Sequence, residues 1–245
     1  MARIILVHGA FCSSSVWGSK VVHELEKRGH SVEIMDLPSH GRDSTPKSEV
    51  TLDLYADAVT RQAMSKPEAP VLVGHSMGGL VITQAAENVI AAGGDIPGLI
   101  YVAAALPRNG KSQNDYTSLP EGAGDELGGN LILSDDKPTI ATIPVDLAPR
   151  ALFNDLPADE AYELGLTLEP QTVRVFFTPV HITDDRPIHR GYMLCTRDRA
   201  IPPALQRLMA SETPGVKVIE LESDHSPFVS HPDEFLAALD ALLPE

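Results

Sequence analysis

The chain has 245 residues, 43% of them hydrophobic and 22% charged, which is enough apolar material to bury a sizeable core and argues against disorder. Its 34 acidic and 19 basic residues give a formal net charge of -15, which disfavours nucleic acid and anionic membrane surfaces as partners. No stretch reaches the ~18 apolar residues of a membrane-spanning helix, and the apolar run before His8 is too short for a secretory signal, so we expect a cytoplasmic protein.

The first hundred residues alternate between short β-branched runs and amphipathic stretches. Continuous apolar runs separated by helices indicate parallel strands that are buried on both faces. We therefore predict an α/β fold with a mostly parallel, doubly wound sheet. The predicted strands are 3–7, 31–35, 70–73 and 98–104, and the predicted helices are 16–28, 52–65 and 77–92.

The amino-acid composition changes at Pro107, where a polar stretch with scattered glycine and proline begins. Only short helices are predicted there, which indicates an insertion over the sheet, and the strand and helix alternation then returns. We divide the chain into a first core part (1–106), a cap insertion (107–186) and a second core part (187–245). The predicted later elements are helices over 158–168, 170–177, 203–211 and 232–243 and strands over 191–195 and 216–221.

The pentapeptide GHSMG at 74–78 fits Gly-x-Ser-x-Gly and lies between a predicted strand and a predicted helix, the context that this motif requires. A serine on such a sharp turn has a strained backbone, and the glycines at 74, 78 and 79 let strand and helix pass closely. The turn lifts the hydroxyl of Ser76 above the sheet edge, at a helix N-terminus whose partial positive charge suits a developing oxyanion. Ser76 is therefore the candidate nucleophile.

A glycine-rich turn between strand and helix also holds phosphate in nucleotide-binding proteins, or simply packs closely. A Walker loop has a lysine beside its serine or threonine, and a dinucleotide-binding turn has Gly-x-Gly-x-x-Gly; neither pattern occurs at 74–79. A phosphate site is therefore disfavoured, while close packing without catalysis stays open.

A serine hydroxyl needs an imidazole to take its proton and a carboxylate to orient that imidazole. Of the nine histidines, only His225 lies just beyond a late predicted strand, four residues after Leu221. We predict His225 as the base, with His231, at the start of the final predicted helix, as the second candidate. His8 and His75 flank the presumed site, and we assign them to structure or pocket polarity.

The acid is expected between nucleophile and base in the chain. Asp198 follows the predicted strand 191–195, at the carboxyl end of a parallel strand, where site residues belong. We predict Asp198 as the acid and interpret Asp224 as a turn residue, because neighbouring side chains on an extended loop point apart. Arg197 and Arg199 would lower the pKa of Asp198 if they approach it, and solvated arginines are the equal alternative.

An oxyanion hole usually takes one backbone N–H from the residue after the nucleophile and one from the loop after the first core strand. In this chain those are Met77 and a residue following Gly9 in the stretch VHGAF. Loss of one such donor typically lowers turnover by about 10² to 10³-fold.

Four stretches resemble the α/β-hydrolase superfamily: LVHGAF, GHSMGG, YMLCTRDRAIPPALQRLM and SDHSPFVSHP. The resemblance is closest to the branch of plant methylesterases, hydroxynitrile lyases and bacterial esterases such as pyrethroid hydrolases. It implies the α/β-hydrolase fold, with the segment from 107 to about 186 similar to the family's cap. It also implies the nucleophile at Ser76, the acid at Asp198, the base at His225 and the two oxyanion amides at Ala10 and Met77.

Two positions separate the reactions within this branch. The resemblance implies that plant hydroxynitrile lyases of this type have threonine where this chain has Gly9, and lysine after the base where this chain has Ser226. Without a cation near the leaving cyanide, cyanohydrin cleavage loses its electrostatic support. Hydrolysis is accordingly favoured.

These residues predict a serine carboxylic ester hydrolase that acts on small to medium hydrophobic or aryl esters through an acyl-enzyme. No metal or organic cofactor is expected, because the chain lacks His-Glu-x-x-His and clustered cysteines, and Cys12 and Cys195 are expected to be reduced. The alternatives are a lyase or a lactone, amide or C–C bond hydrolase on the same fold, and a binding protein with a vestigial site. An epoxide or haloalkane hydrolase would need an aspartate at position 76.

Aromatic residues would supply apolar walls for a substrate pocket, although core packing explains most of them equally well. Such a pocket suits a small-molecule ester of modest size as the partner, in a monomer or a homodimer. The candidate lining residues are Phe11, Trp17, His75, Tyr116, Phe153, Phe176 and Phe177.

Overall fold

A computed structural model describes residues 1–183 and 188–244 of the chain. In chain order its strands are β1 (Arg3–Val7), β2 (Ser31–Met35), β3 (Pro70–His75), β4 (Gly98–Val102), β5 (Ile132–Leu133), β6 (Ile140–Thr142), β7 (Gln171–Thr172), β8 (His189–Cys195) and β9 (Lys217–Leu221). The α-helices are α1 (Gly18–Lys27), α2 (Leu52–Ala63), α3 (Gly78–Ala91), α4 (Gln113–Thr117), α5 (Ala148–Ala151), α6 (Ala158–Gly165), α7 (Arg174–Phe177), α8 (Pro203–Ser211), α9 (Pro227–Ser230) and α10 (Pro232–Leu242). Short 3-10 turns occupy Ser14–Trp17, Pro120–Gly122 and Gly128–Asn130.

The main sheet joins six of the described strands, all parallel, in the order β2-β1-β3-β4-β8-β9. Strands β1, β3 and β4 are buried over their whole length because both faces of the sheet are covered. Successive side chains of β1 alternate between the faces: Ile4 and Leu6 join the core under α1 and α10, and Ile5 and Val7 join the core under α2, α3 and α8. The predicted α/β class with a doubly wound parallel sheet is confirmed.

The helices of the first half begin and end close to the predicted positions. Thr51 caps α2, since its hydroxyl accepts a hydrogen bond from the amide of Leu54 at 3.0 Å. Helix α3 ends at Ala91, before Gly93 adopts a φ of 83° that suits glycine. The predicted first helix starts two residues early, because residues 16 and 17 belong to a 3-10 turn.

Residues 107–183, here called the intervening segment, connect β4 to β8, which are neighbours in the main sheet. The segment forms an antiparallel sheet, β5-β6-β7, and the short helices α4 to α7. Phe153 and Leu147 belong to a hydrophobic cluster in this segment, which also contains Phe11 from the loop after β1. The predicted insertion boundary at 186–187 lies outside the described residues, and the division into core and cap stays a prediction.

Two predicted elements are wrong in part. The helix predicted over 170–177 covers only Arg174–Phe177, because Gln171 and Thr172 pair with β6 instead. A two-residue strand has no measurable period, so hydrophobic patterning could not separate it from the helix. The strand predicted over 98–104 ends at Val102, because Ala103 has a φ of 43° and leaves the extended conformation.

The described part of the chain has no disulfide bond and no candidate metal site. Cys12 and Cys195 are free and buried, and burial raises the pKa of the Cys12 thiol to about 12. Within residues 1–183 and 188–244, no three His, Cys, Asp or Glu side chains are arranged to hold a metal ion.

In the same ranges, no helix combines the length and the apolar character needed to cross a bilayer.

Candidate active site

Ser76 occupies a strained turn at the carboxyl end of β3. Its φ is 53°, in the left-handed region that a residue with a side chain adopts only at a cost of about 1–3 kcal/mol. Three backbone hydrogen bonds hold the turn: the Ser76 amide donates to the carbonyl of Val102 at 3.1 Å, and its carbonyl accepts from the amides of Gly79 at 3.1 Å and Ala105 at 3.0 Å. The backbone thus compensates the strain and presents the side chain beyond the sheet edge.

The glycines around Ser76 lie where no Cβ atom fits. A Cβ on Gly74 would lie 2.6 Å from the carbonyl oxygen of Gly78, and one on Gly78 would lie 2.6 Å from that of Val7. At Gly79 the distance to the carbonyl oxygen of Ala105 would be 2.2 Å. The prediction that these glycines let strand and helix pass closely is confirmed, because the nearest obstructing atom at each of them is a backbone carbonyl oxygen.

We expect Gly79→Ala to lower the free energy of unfolding by about 3 kcal/mol or more, because the new methyl group would collide with a fixed carbonyl oxygen. Equilibrium unfolding in urea measures the change. Gly129→Ala is the control, since a Cβ at Gly129 meets open space and its φ is not positive; its stability should stay within about 0.5 kcal/mol of the parent. Equal midpoints for Gly79→Ala and the parent would show that the turn has room for a side chain.

His225 and Asp198 meet beyond the ends of β9 and β8. The Nδ1 atom of His225 lies 2.8 Å from Oδ2 of Asp198, and both side chains are buried. Because an ionised carboxylate only accepts hydrogen bonds, Nδ1 carries the proton and Nε2 is left as an acceptor. The imidazole is therefore in the tautomer that can take a proton from a hydroxyl.

Asp198 is held by donors on every side, and one of them was missed by the sequence reasoning. Its Oδ1 accepts from the amides of Ala200 at 2.8 Å and Ile201 at 2.9 Å, and its Oδ2 also accepts from Nε2 of Gln206 at 2.8 Å. Gln206 is fully buried on α8. The only sequence signal for it was a glutamine among the buried positions of an amphipathic helix.

Ser76 and His225 line one cavity of about 300 Å³ between the main sheet and the intervening segment. Five of the seven expected pocket residues line the same cavity: Phe11, His75, Phe153, Phe176 and Phe177. The sequence reasoning missed most of the aliphatic wall, which comes from short irregular elements. The other apolar lining residues are Ala10, Leu127, Leu131, Leu133, Leu152, Val173, Ala200 and Ile201.

Trp17 and Tyr116 were also expected in the pocket, but they do not line it. Trp17 is fully buried on the α1 side of the sheet, where its ring centroid lies 4.5 Å from that of Phe228. The hydroxyl of Tyr116 instead donates to a carboxylate oxygen of Glu212 at 3.0 Å and accepts from the amide of Arg108 at 3.2 Å. Both rings are held by other neighbours, and neither lines the cavity that contains Ser76.

The expected oxyanion donors flank the nucleophile turn. Within the described residues, the amides of Ala10 and Met77 donate no hydrogen bond to another protein group. Met77 directly precedes α3, and Ala10 lines the cavity. A Cβ on Gly9 would lie 2.8 Å from Cβ of Ser76, so the loop carrying Ala10 packs directly against the turn.

The remaining histidines near the site are neutral or engaged elsewhere. Burial lowers the pKa of His8 to about 4, and its Nε2 accepts from the amide of Leu37 at 3.0 Å. Burial also lowers the pKa of His75 well below its usual value, and its Nε2 donates to the carbonyl of His225 at 2.9 Å. His231, the second candidate for the base, instead contacts Oδ2 of Asp155 at 2.9 Å.

Asp224 and the arginines bind the intervening segment rather than the acid. Asp224 Oδ2 accepts from the amide of Asp155 at 3.1 Å, and its Oδ1 accepts from the amide of Ser226 at 3.0 Å, a local bond in agreement with its interpretation as a turn residue. Arg197 pairs with Asp155 at 2.9 Å, and Arg199 lies 3.7 Å from a carboxylate oxygen of Glu126. Of the two alternatives for these arginines, a pairing with Asp198 is not seen among the described residues, because acidic residues of the intervening segment engage both.

The sheet order and the position of the serine turn on it are those of the α/β-hydrolase class. The model described as "Alpha/beta hydrolase family" matches residues 4–238, and the chain belongs to that family. The chain is similar to Methylesterase 17 of Arabidopsis thaliana, with 29% identity over 94% of this chain and 87% of that protein. It is also similar to an alpha-hydroxynitrile lyase of the same plant, with 28% identity over 98% of this chain and 96% of that protein.

Among solved structures, the chain is similar to a pyrethroid hydrolase from Sphingobium faniae JZ-2. The TM-score is 0.84 and the identity 25%, over 98% of this chain and 96% of that chain. These relatives confirm the branch of the family that the four sequence stretches indicated.

Proposed function

We propose that the protein is a serine carboxylic ester hydrolase. Ser76 attacks the ester carbonyl, His225 takes the serine proton and then delivers it to the leaving alcohol, and Asp198 orients the imidazole. The amides of Ala10 and Met77 bind the oxyanion, and water then cleaves the acyl-enzyme. The reaction needs no metal or organic cofactor.

The observation that carries this proposal is the hydrogen bond between His225 and Asp198, since His225 lines the same cavity as Ser76. The 2.8 Å contact fixes the imidazole with its free nitrogen available, which is the activation that a serine hydroxyl requires. Relatives named methylesterase and pyrethroid hydrolase support an esterase activity within the family.

The substrate proposed is a hydrophobic or aryl ester of small to medium size. A cavity of about 300 Å³ with phenylalanine and leucine walls accommodates such an ester and offers an apolar surface to it. The cytoplasmic location and the monomeric or homodimeric state stay predictions from the sequence.

A fluorophosphonate probe tests the proposal, because it reacts only with an activated serine hydroxyl. We expect it to label Ser76, as located by peptide mapping, and to abolish hydrolysis of p-nitrophenyl butyrate in proportion to labelling. Continued turnover after complete labelling of Ser76 would contradict the proposal. An unlabelled Ser76 together with tight binding of a small hydrophobic ligand would favour the binding-protein alternative.

A hydroxynitrile lyase is the second candidate, since one relative carries that name. Two local features disfavour it. Ser226 supplies no cation next to His225, where the resemblance implies a lysine in such lyases. The resemblance also implies a threonine at the position of Gly9, and a Cβ there would lie 2.8 Å from Cβ of Ser76. We expect no release of benzaldehyde from mandelonitrile above the rate in buffer, followed by ultraviolet absorbance. A protein-dependent release that Ser76→Ala abolishes would establish the lyase.

A further inference from the structure

The cavity that contains Ser76 also contains a carboxylate without a cationic partner. Among the described residues that line it, Asp125 is the one with an acidic side chain, and none is a lysine or an arginine. Two arginines pair with the neighbouring Glu126 instead: Arg150 lies 2.9 Å from one of its carboxylate oxygens, and Arg199 lies 3.7 Å from the other. Apart from His225 in its protonated form, no lining residue among those described supplies a cation, so a cation bound directly to Asp125 would come from a ligand.

The loop holds this carboxylate by one oxygen only. Oδ1 of Asp125 accepts from the amides of Leu127 at 2.7 Å and Gly128 at 2.8 Å. Within the described residues, Oδ2 accepts no hydrogen bond and belongs to no ion pair. The amide of Glu126 donates to the carbonyl of Arg199 at 2.8 Å, which ties the loop to the one that carries Asp198.

The electrostatic surroundings also leave Asp125 poorly compensated. Burial raises its pKa in spite of the two amides; the nearby charge of Asp198 adds to that rise, and the imidazole of His225 opposes it. A partly buried carboxylate in such surroundings gains from a cation that it can bind directly.

A second acceptor on the same cavity is also without a donor. Oε1 of Gln113, in α4, is buried and has no hydrogen-bond partner in the described part of the chain. A buried acceptor without a donor carries the full cost of its desolvation, so a ligand with N–H groups would relieve that cost. Both acceptors belong to the intervening segment, opposite the serine turn.

We infer that this site favours esters that carry a protonated amine, and that Oδ2 of Asp125 binds the ammonium group. Asp125 is thus a specificity-determining residue, and esters that also carry a free carboxylate are disfavoured. The inference rests on the proposed ester hydrolysis where kcat/KM is measured. What it asserts is a preference in binding, which can also be measured without turnover.

Two pairs of isosteric esters measure that preference. On the alcohol side, 2-(dimethylamino)ethyl butyrate is compared with 3-methylbutyl butyrate, and on the acyl side, methyl 4-(dimethylamino)butanoate with methyl 5-methylhexanoate. Each amine is protonated at neutral pH and differs from its partner by one nitrogen for carbon. We expect the amine ester of at least one pair to have a kcat/KM roughly tenfold or more higher, the ratio typical of a hydrogen bond to a charged group.

Asp125→Asn removes the charge and keeps the Oδ1 acceptor, so we expect the ratio within the pair to fall to about one. The ratio cancels any change that the substitution imposes on both esters. Asp159→Asn, at an exposed position of α6, removes the same charge from the surface and should leave the ratio as in the parent. No preference in the parent for either pair, or a preference that Asp125→Asn retains, would overturn the inference.

Calorimetric binding to Ser76→Ala separates this inference from the proposed function. The same ester pairs bind there without turnover, and the amine ester should bind roughly tenfold more tightly unless Asp125 is also replaced. Preferential binding by Ser76→Ala with no hydrolysis by the parent would refute the esterase and keep the amine preference. Equal binding within both pairs would refute the preference whatever the parent hydrolyses.

Discussion

Replacing Ser76 by alanine is expected to lower kcat/KM for p-nitrophenyl butyrate by more than about 10³-fold, because the acyl-enzyme can no longer form. The change is confined to the hydroxyl. The amides of Gly79 and Ala105 bind the backbone carbonyl of residue 76, so the bonds that hold the turn do not involve the side chain. Initial rates over a range of substrate concentrations measure the loss, and a melting curve checks that the variant is folded.

Ser211→Ala is the matched control for this variant. Ser211 is exposed at the end of α8, where its hydroxyl donates to the carbonyl of Leu208 at 2.8 Å. Its replacement should leave kcat/KM close to that of the parent. If Ser76→Ala stayed within about tenfold of the parent, another group would be the nucleophile and the proposed mechanism would be wrong.

The serine turn could be predicted from sequence because its constraint is local. The glycines at 74, 78 and 79 are required by backbone atoms within the turn, on β1 and just after β4, so their spacing carries the geometry. Asp198 and His225 were found by a similar argument, since the carboxyl ends of parallel strands meet at one sheet edge. The hydrogen bond between them follows from this arrangement, because each residue comes just after one of two neighbouring strands, β8 and β9.

The rest of the site depends on contacts that sequence patterns do not record. Gln206, eight residues after Asp198 in the chain, reaches it from α8, and a glutamine among the buried positions of a helix does not by itself indicate which group it binds. Asp125 lies in a polar loop of the intervening segment, and only the fold brings that loop over Ser76. Both residues are defined by tertiary packing.

The aromatic residues illustrate the same limit. A large ring such as Trp17 is apolar enough for either a core or a pocket, and composition does not decide between them. Trp17 packs into the core under α1 and α10, whereas Phe153, in the loop after α5, lines the cavity. Only the packing of their segments separates the two.

The second large effect is expected for Asp198→Asn, which should lower kcat by about 10⁴-fold. The carboxylate accepts four hydrogen bonds, from the amides of Ala200 and Ile201 and from Gln206 and His225, so every neighbour is a donor. Each oxygen accepts two of these bonds, so an asparagine must set its NH₂ group against two of the four donors. If that group faces His225, Nδ1 becomes an acceptor, the ring proton moves to Nε2, and the imidazole can no longer take the proton of Ser76.

Asp224→Asn provides the contrast, because Asp224 directly precedes His225 and is also buried. Its carboxylate accepts from the amides of Ser226 at 3.0 Å and Asp155 at 3.1 Å and from the hydroxyl of Ser230 at 2.7 Å, and none of these donors is the imidazole. Its replacement should therefore cost about 1–3 kcal/mol of stability in urea unfolding and leave kcat within roughly tenfold of the parent. If both variants lost kcat equally, the hydrogen bond to His225 would not identify the catalytic acid. The assignment of that role to Asp198 would then be wrong.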